Sequence, residues 1–206
     1  MTQGIVITTS KSTEAFLNDL LPSLPTAWPI LLVCNDNHIP QVVRDAALPE
    51  NTTVVYNDYN AWELGGVARG AEHFDEFVHL MDTCLIHKGI FNHDIPEVHL
   101  EPEMLFRVMF GGSPGSCYLC RGFYSYLGKY RSEILRHVGI PRIETKQQAI
   151  HAEDNWNRAY LAADPAAWQF PSLLPISSNV FEEKHGRRNM VLTNGYMTKY
   201  KATWIG

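Results

Sequence analysis

Four short apolar runs, each closing on small polar or acidic residues, constrain this chain more than any other feature. They are Gly4-Ile5-Val6-Ile7-Thr8-Thr9-Ser10, Pro29 to Val33 running into Cys34-Asn35-Asp36-Asn37, Thr52 to Tyr56 running into Asn57-Asp58-Tyr59-Asn60, and Phe77 to Met81 running into Asp82-Thr83-Cys84. The first two are continuously apolar rather than alternating. That is the signature of strands covered on both faces.

Helical segments fall between these runs. Ser12 or Thr13 can cap a helix whose apolar side is Phe16, Leu17, Leu20, Leu21 and Leu24, with Pro22 and Pro25 limiting its length. Val42 to Ala47 reads as a short helix, and Glu63 to Phe74 as a longer one. Gly65, Gly66 and Gly70 weaken that longer helix, so its backbone is expected to approach a neighbouring element or ligand closely. Strands alternating with helices specify a mainly parallel sheet with helices on its faces. The expected fold is therefore a Rossmann-like, three-layer α/β/α domain. Ligands of such sheets bind beyond the carboxyl ends of the strands, where Asp36, Asp58 and Asp82 all fall.

The second half reads differently. His99 to Gly115 is polar and then glycine-rich, Ser116 to Tyr126 suggests a strand, Tyr130 to Val138 a helix stopped by Gly139 and Pro141, and Lys146 to Leu161 a longer helix. Pro165 to Ser178 is proline-rich. Asn179 to Gly206 is a basic, aromatic-bearing tail whose Tyr196, Tyr200 and Trp204 are expected to pack back on the domain. The 206 residues suffice for one domain, with 1–90 as its nucleotide-binding half and 91–206 as an acceptor half with a tail.

Several classes are excluded or disfavoured. No apolar run approaches the roughly 20 residues of a membrane helix, and Met1 to Gly4 lead straight into a strand without a signal-peptide pattern, so a cytoplasmic location without membrane partners is expected. A net charge of −5 gives no global pull toward nucleic acid. The pair Cys117 and Cys120 has half of a zinc-site spacing, but strand packing accounts for it better. P-loop, dinucleotide-fingerprint and nucleophile-elbow motifs are absent from the sequence.

Two stretches carry a family resemblance: Glu63-Leu64-Gly65-Gly66-Val67-Ala68-Arg69-Gly70-Ala71, and Phe77-Val78-His79-Leu80-Met81-Asp82-Thr83-Cys84-Leu85-Ile86. With the strand order before them, they resemble the GT-A-type nucleotide-sugar glycosyltransferases over roughly the first 90 residues, and weakly onward to about residue 190. In that family a strand-end Asp-x-Asp motif holds a divalent metal that bridges the sugar-nucleotide diphosphate. Asp82 matches the first acid, and Cys84 stands where the second would be. The resemblance implies Mn²⁺ or Mg²⁺ as cofactor. A thiolate is a poor ligand for such hard cations, which leaves three alternatives: Asp82 with another metal ligand, a metal-free enzyme, or a domain without activity.

The resemblance also implies roles further along. Thr8, Ser10, Asp36 and Asp58 would line the nucleoside pocket. Asp82 and His185 would face the diphosphate or a metal, with Arg187 on the phosphates. Asp154, with Glu153 second, would deprotonate an acceptor hydroxyl. The expected donor is a nucleotide-diphosphate sugar; a small molecule, a protein or modified DNA remain open as acceptor. The alternative is a catalytically inactive module of the same fold that binds a glycan or a partner protein.

Overall fold

The computed structural model describes residues 2–60, 62–87, 127–163, 180–193 and 197–202. Strands β1 (Gln3–Thr9), β2 (Ile30–Cys34), β3 (Thr52–Tyr56), β4 (Glu76–Met81) and β6 (Leu127–Arg131) form one sheet in the order β3-β2-β1-β4-β6. The first four pair in parallel, and β6 joins β4 antiparallel.

Period-two alternation divides the core into two layers. Ile5, Ile7, Ile30, Leu32, Val78 and Leu80 face one way, against Leu17 and Leu20 of α1 (Leu17–Leu20) and Val42 of α2 (Gln41–Arg44). Val6, Leu31, Val33 and Phe77 face the other way, against α3 (Trp62–His73), α4 (Ser132–Val138) and α5 (Lys146–Ala163). The domain is thus a three-layer α/β/α fold with a mainly parallel sheet, as the sequence specifies. Every side chain of β2 is buried, which accounts for its unbroken apolar run.

Gly66 of α3 is where the glycine-weakened helix gains its close approach. A Cβ there would lie 1.8 Å from Thr8 Oγ1 and 3.0 Å from His79 Nε2. The helix therefore rests directly on a buried polar pair, Thr8 Oγ1 and His79 Nε2, 2.8 Å apart. Gly70 sits equally close to Phe77 and Val6.

Two sequence expectations change. The helix expected over Tyr130 to Val138 begins only at Ser132, because Tyr130 lies in β6 opposite Phe77. Burial of Tyr130 against Phe77, Trp156 and Tyr160 decides this position over its local helix pattern. The side chain of Thr13 does not cap the first helical turn; its hydroxyl donates to Asp82 instead. Helix α5 does carry a capping box: Gln148 Oε1 accepts from the N–H of Thr145, and Thr145 Oγ1 accepts from the N–H of Gln148.

A second sheet, β5-β9-β8-β7, is antiparallel and built from β5 (Cys84–Ile86), β7 (Phe181–Lys184), β8 (Arg187–Thr193) and β9 (Met197–Ala202). The basic tail therefore returns to the domain, pairing with the chain just after Asp82. Among the described residues no helix is long and apolar enough to cross a membrane. The glycine-rich stretch, the Cys117–Cys120 pair and the strand expected over 116–126 lie outside the described residues.

Candidate functional site

The strand register brings the polar strand ends level. Thr9 pairs with Cys34 and Cys34 with Tyr56, so Ser10, Asn35 and Asn57 each stand one residue past the sheet. Thr8 pairs with Met81, which puts Asp82 beside Thr9. With β2 and β3 on one side of β1 and β4 on the other, the connection direction reverses between β1 and β4. Asp82 sits at that switch point, where open α/β sheets hold their ligands.

Of the expected nucleoside-pocket residues, Asp36 and Asp58 are exposed on this edge. Asp36 adopts a left-handed backbone (φ 58°), a conformation that Asp and Asn tolerate better than most residues. Its N–H donates to the Tyr59 carbonyl, and the next N–H, of Asn37, to the Asn57 carbonyl, so the β2 and β3 loops are tied together. Asp58 lies 3.7 Å from the Arg142 guanidinium, which also covers the Tyr59 ring at 4.5 Å. Ser10 is half-buried, its hydroxyl 3.1 Å from that of Ser12 and 3.0 Å from that of Thr13. Thr8, by contrast, is interior, bonded to His79 beneath α3.

An amide lattice behind these acids escaped the sequence reading. Asn57 Nδ2 donates to Asn35 Oδ1, Asn35 Nδ2 to the Trp62 carbonyl, and Arg69 Nε to Asn57 Oδ1. Asn35 and Asn57 are buried. The signal was present as an Asn directly after each of β2 and β3, but sequence alone does not say which of the adjacent Asn and Asp turns inward.

At the switch point the geometry is closed. Asp82 is 1% exposed. Its Oδ2 accepts from the hydroxyls of Thr9, at 2.7 Å, and Thr13. Burial pushes the Asp82 carboxyl above the usual carboxylate range, against the pull of those donors and of the Lys199 charge. Lys199 is itself 3% exposed and donates to the Thr83 hydroxyl. Cys84 is buried in β5, where burial raises its thiol.

His185 and Arg187 come from the turn between β7 and β8. His185 Nε2 lies 2.7 Å from Asp19 Oδ2, and its ring packs edge-on against Phe16. Arg187 donates to the Ser12 carbonyl at 2.8 Å. The structure thus brings both to the Ser10–Phe16 loop that also anchors Asp82. It does not join His185 and Asp82 in one ligand set: each is committed to a different partner. Among the described residues no group of three or more His, Cys, Asp or Glu is placed to hold a metal ion. Positions 153 and 154 lie within α5, but the Glu153 and Asp154 side chains fall outside what the structure describes.

Beside that helix, α4, α5 and the connection between them line a cleft of about 700 Å³. Ile140, Ile143, Ala152 and Trp156 give it an apolar wall, with Arg142, His151 and Asn155 as polar groups. Trp156 is 4% exposed, and its indole N–H finds no acceptor among the described residues.

Fold and site together define a three-layer α/β domain with an acid-bearing carboxyl edge. No protein-family model matches the chain, and no curated protein matches it. Among solved structures it is similar to S. aureus TarS, at 14% identity and a TM-score of 0.42, over 76% of this chain and 33% of that one. It is also similar to a putative glucose-1-phosphate thymidylyltransferase from Bacillus anthracis in complex with a sucrose, at 12% identity and a TM-score of 0.41, over 79% and 84% of the two chains. The chain spans about a third of the length of TarS. Likeness of this degree assigns neither an activity nor residue roles.

Proposed function

We propose that the chain is a glycosyltransferase that uses a nucleotide-diphosphate sugar, with the nucleoside lying along the carboxyl edge of β1 to β3. The observation that carries this reading is the level edge itself. Ser10, Asp36 and Asp58 stand in a row beside the switch point, and both carboxylates are exposed and held on loops stapled to each other. Exposed carboxylates at such an edge suit the hydroxyls of a ribose. Arg187, brought to the Ser10–Phe16 loop, suits the diphosphate.

In this reading Asp154, with Glu153 as the second candidate, takes the proton of an acceptor hydroxyl. The hydroxyl oxygen bonds to the anomeric carbon as the bond to the nucleoside diphosphate breaks. A single displacement of this kind inverts the anomeric centre. The acceptor carries the attacking hydroxyl, and the cleft along α5 has the size and lining of a small-molecule site.

Melting the protein with UDP, GDP, CDP, dTDP and ADP tests the reading. A ligand at about 100 times its Kd adds about 2.7 kcal/mol to the folded state. For a chain of this size that is a rise of roughly 5–10 °C. One diphosphate is expected to give it, and Asp36→Ala with Asp58→Ala to remove most of it; no shift with any nucleotide would sink the proposal. Asp154→Asn is expected to abolish turnover while keeping the shift. A second reading, a binding module of the same fold, is favoured by the interior placement of Asp82 and Cys84. Nucleotide or glycan binding without sugar transfer to any acceptor would select it.

A further inference from the structure

The divalent cation implied by the family resemblance does not fit the residues at the switch point. A hard dication needs oxygen lone pairs directed at it and near-ideal geometry. Asp82 is buried, and its Oδ2 is already shared by the Thr9 and Thr13 hydroxyls. The side chain at the second motif position, Cys84, packs in the core with Leu17, Leu80 and Ile86. His185 is held by Asp19.

A positive charge is nevertheless present. β9 pairs with β5 so that Lys199 stands opposite Cys84. Its ammonium donates to the Thr83 hydroxyl and is close enough for its charge to act on the Asp82 carboxyl. The backbone secures this placement, because the Tyr200 N–H donates to the Thr83 carbonyl. A buried ammonium on the residue next to Asp82 favours the ionised carboxyl and repels a dication at short range.

We propose that the Asp82 site is closed from within, by the Thr9 and Thr13 hydroxyls on the carboxylate and by the Lys199 ammonium on the neighbouring Thr83, so that this chain engages its ligand without a divalent metal. Asp82 then acts as a positioning residue. It fixes the Ser10–Thr13 loop at the switch point through the Thr13 hydroxyl, and the Lys199 charge favours its ionised form from the second sheet. The transferase reading supplies only the nucleotide used in one arm of the test; the metal arm stands without it.

The experiment uses the full chain. Mn²⁺ binding is read by electron paramagnetic resonance, without nucleotide, in the wild type and in Asp82→Asn. Either no stoichiometric Mn²⁺ at free concentrations up to about 100 µM, or bound Mn²⁺ that Asp82→Asn leaves unchanged, is the expected result. Stoichiometric Mn²⁺ that Asp82→Asn removes overturns the proposal. In the nucleotide arm, the Kd of whichever nucleoside diphosphate binds is expected to agree within about twofold between Mn²⁺ and EDTA, whereas binding about tenfold or more tighter with Mn²⁺ overturns it. If no nucleotide binds under either condition, the function proposed above fails and the Mn²⁺ measurement still decides this one. For the charge pair, Lys199→Met and Asp82→Asn are each expected to lower the melting temperature, and the double variant to recover part of the loss. Strictly additive losses would show that the two side chains do not balance each other.

Discussion

The carboxyl edge of the sheet has an open side and a closed one. At the ends of β2 and β3, Asp36 and Asp58 reach solvent, while at the end of β4 Asp82 is 1% exposed. All three arise from the same local pattern, an apolar strand followed by an acid. They differ in what lies over them. Asp36 and Asp58 are backed by an Asn lattice that satisfies the loop backbone and leaves the carboxylates outside. Asp82 is covered by the Ser10–Phe16 loop and by the second sheet, which pairs with the chain two residues later. A buried carboxylate is tolerable only where donors and a nearby opposite charge favour it; here the Thr9 and Thr13 hydroxyls bond it and the Lys199 charge favours its ionised form. The same residue type thus serves as a ligand-facing group on one side of β1 and as an internal strut on the other.

The largest effect that would break this contrast is loss of the strut. Asp82→Ala leaves the Thr9 and Thr13 hydroxyls without their acceptor inside the protein. The expected destabilisation is about 2–6 kcal/mol, at about 1–3 kcal/mol for each buried donor left unsatisfied, or a fall of roughly 4–24 °C in melting temperature by calorimetry. A loss below about 1 kcal/mol, the range of an exposed ion pair, would mean that Asp82 is no more anchored than Asp58.

Next comes Gly66→Ala, which drives a methyl group into Thr8 of β1 and His79 of β4. Overpacking of this kind costs about 1–3 kcal/mol. Denaturant unfolding should show a lower midpoint with an unchanged slope, and a neutral result would place α3 farther from β1 than the structure has it.

Acid should act on the seam over the closed side. Burial raises the Asp19 carboxyl, but the His185 and Lys184 side chains outweigh it and hold the group below its ordinary value. Burial likewise opposes, and the His38 side chain and the Gln41 N–H overcome it to lower, the Glu14 carboxyl. A depressed carboxyl stabilises the fold above its unfolded pKa, near pH 4, and that contribution is lost as pH falls through the lower folded value. Both groups are partly solvated, so each is worth less than about 1 kcal/mol. Asp19→Asn with Glu14→Gln should therefore lower the melting temperature by a few degrees at pH 7 and leave it nearly unchanged at pH 3. An equal loss at both pH values would refute this assignment.

The smallest expected effect sharpens the contrast from the open side. Asp36→Asn and Asp58→Asn should change stability by no more than about 0.5 kcal/mol, since both carboxylates are exposed and the Arg142 ion pair of Asp58 is loose at 3.7 Å. Chemical denaturation measures this directly. A cost above about 1 kcal/mol would make these acids struts as well.

Much of the fold was legible in the sequence. Continuous apolar runs gave β1 and β2 their burial on two faces, and the glycines of α3 gave its close approach to β1. Tyr130 was not legible, because its place in β6 comes from partners 53 residues back at Phe77 and 26 and 30 residues on at Trp156 and Tyr160. Thr13 was read as a helix cap, the local use of a hydroxyl before a helical turn, and instead serves a carboxylate 69 residues away.

The sequence by itself determined that acids would follow three parallel strands, because that pattern depends only on neighbours along the chain. Which of those acids face a ligand and which is locked inside was decided by tertiary structure. Desolvation, the donors that compensate it and the Lys199 charge all come from segments remote in sequence, and only folding places them around Asp82.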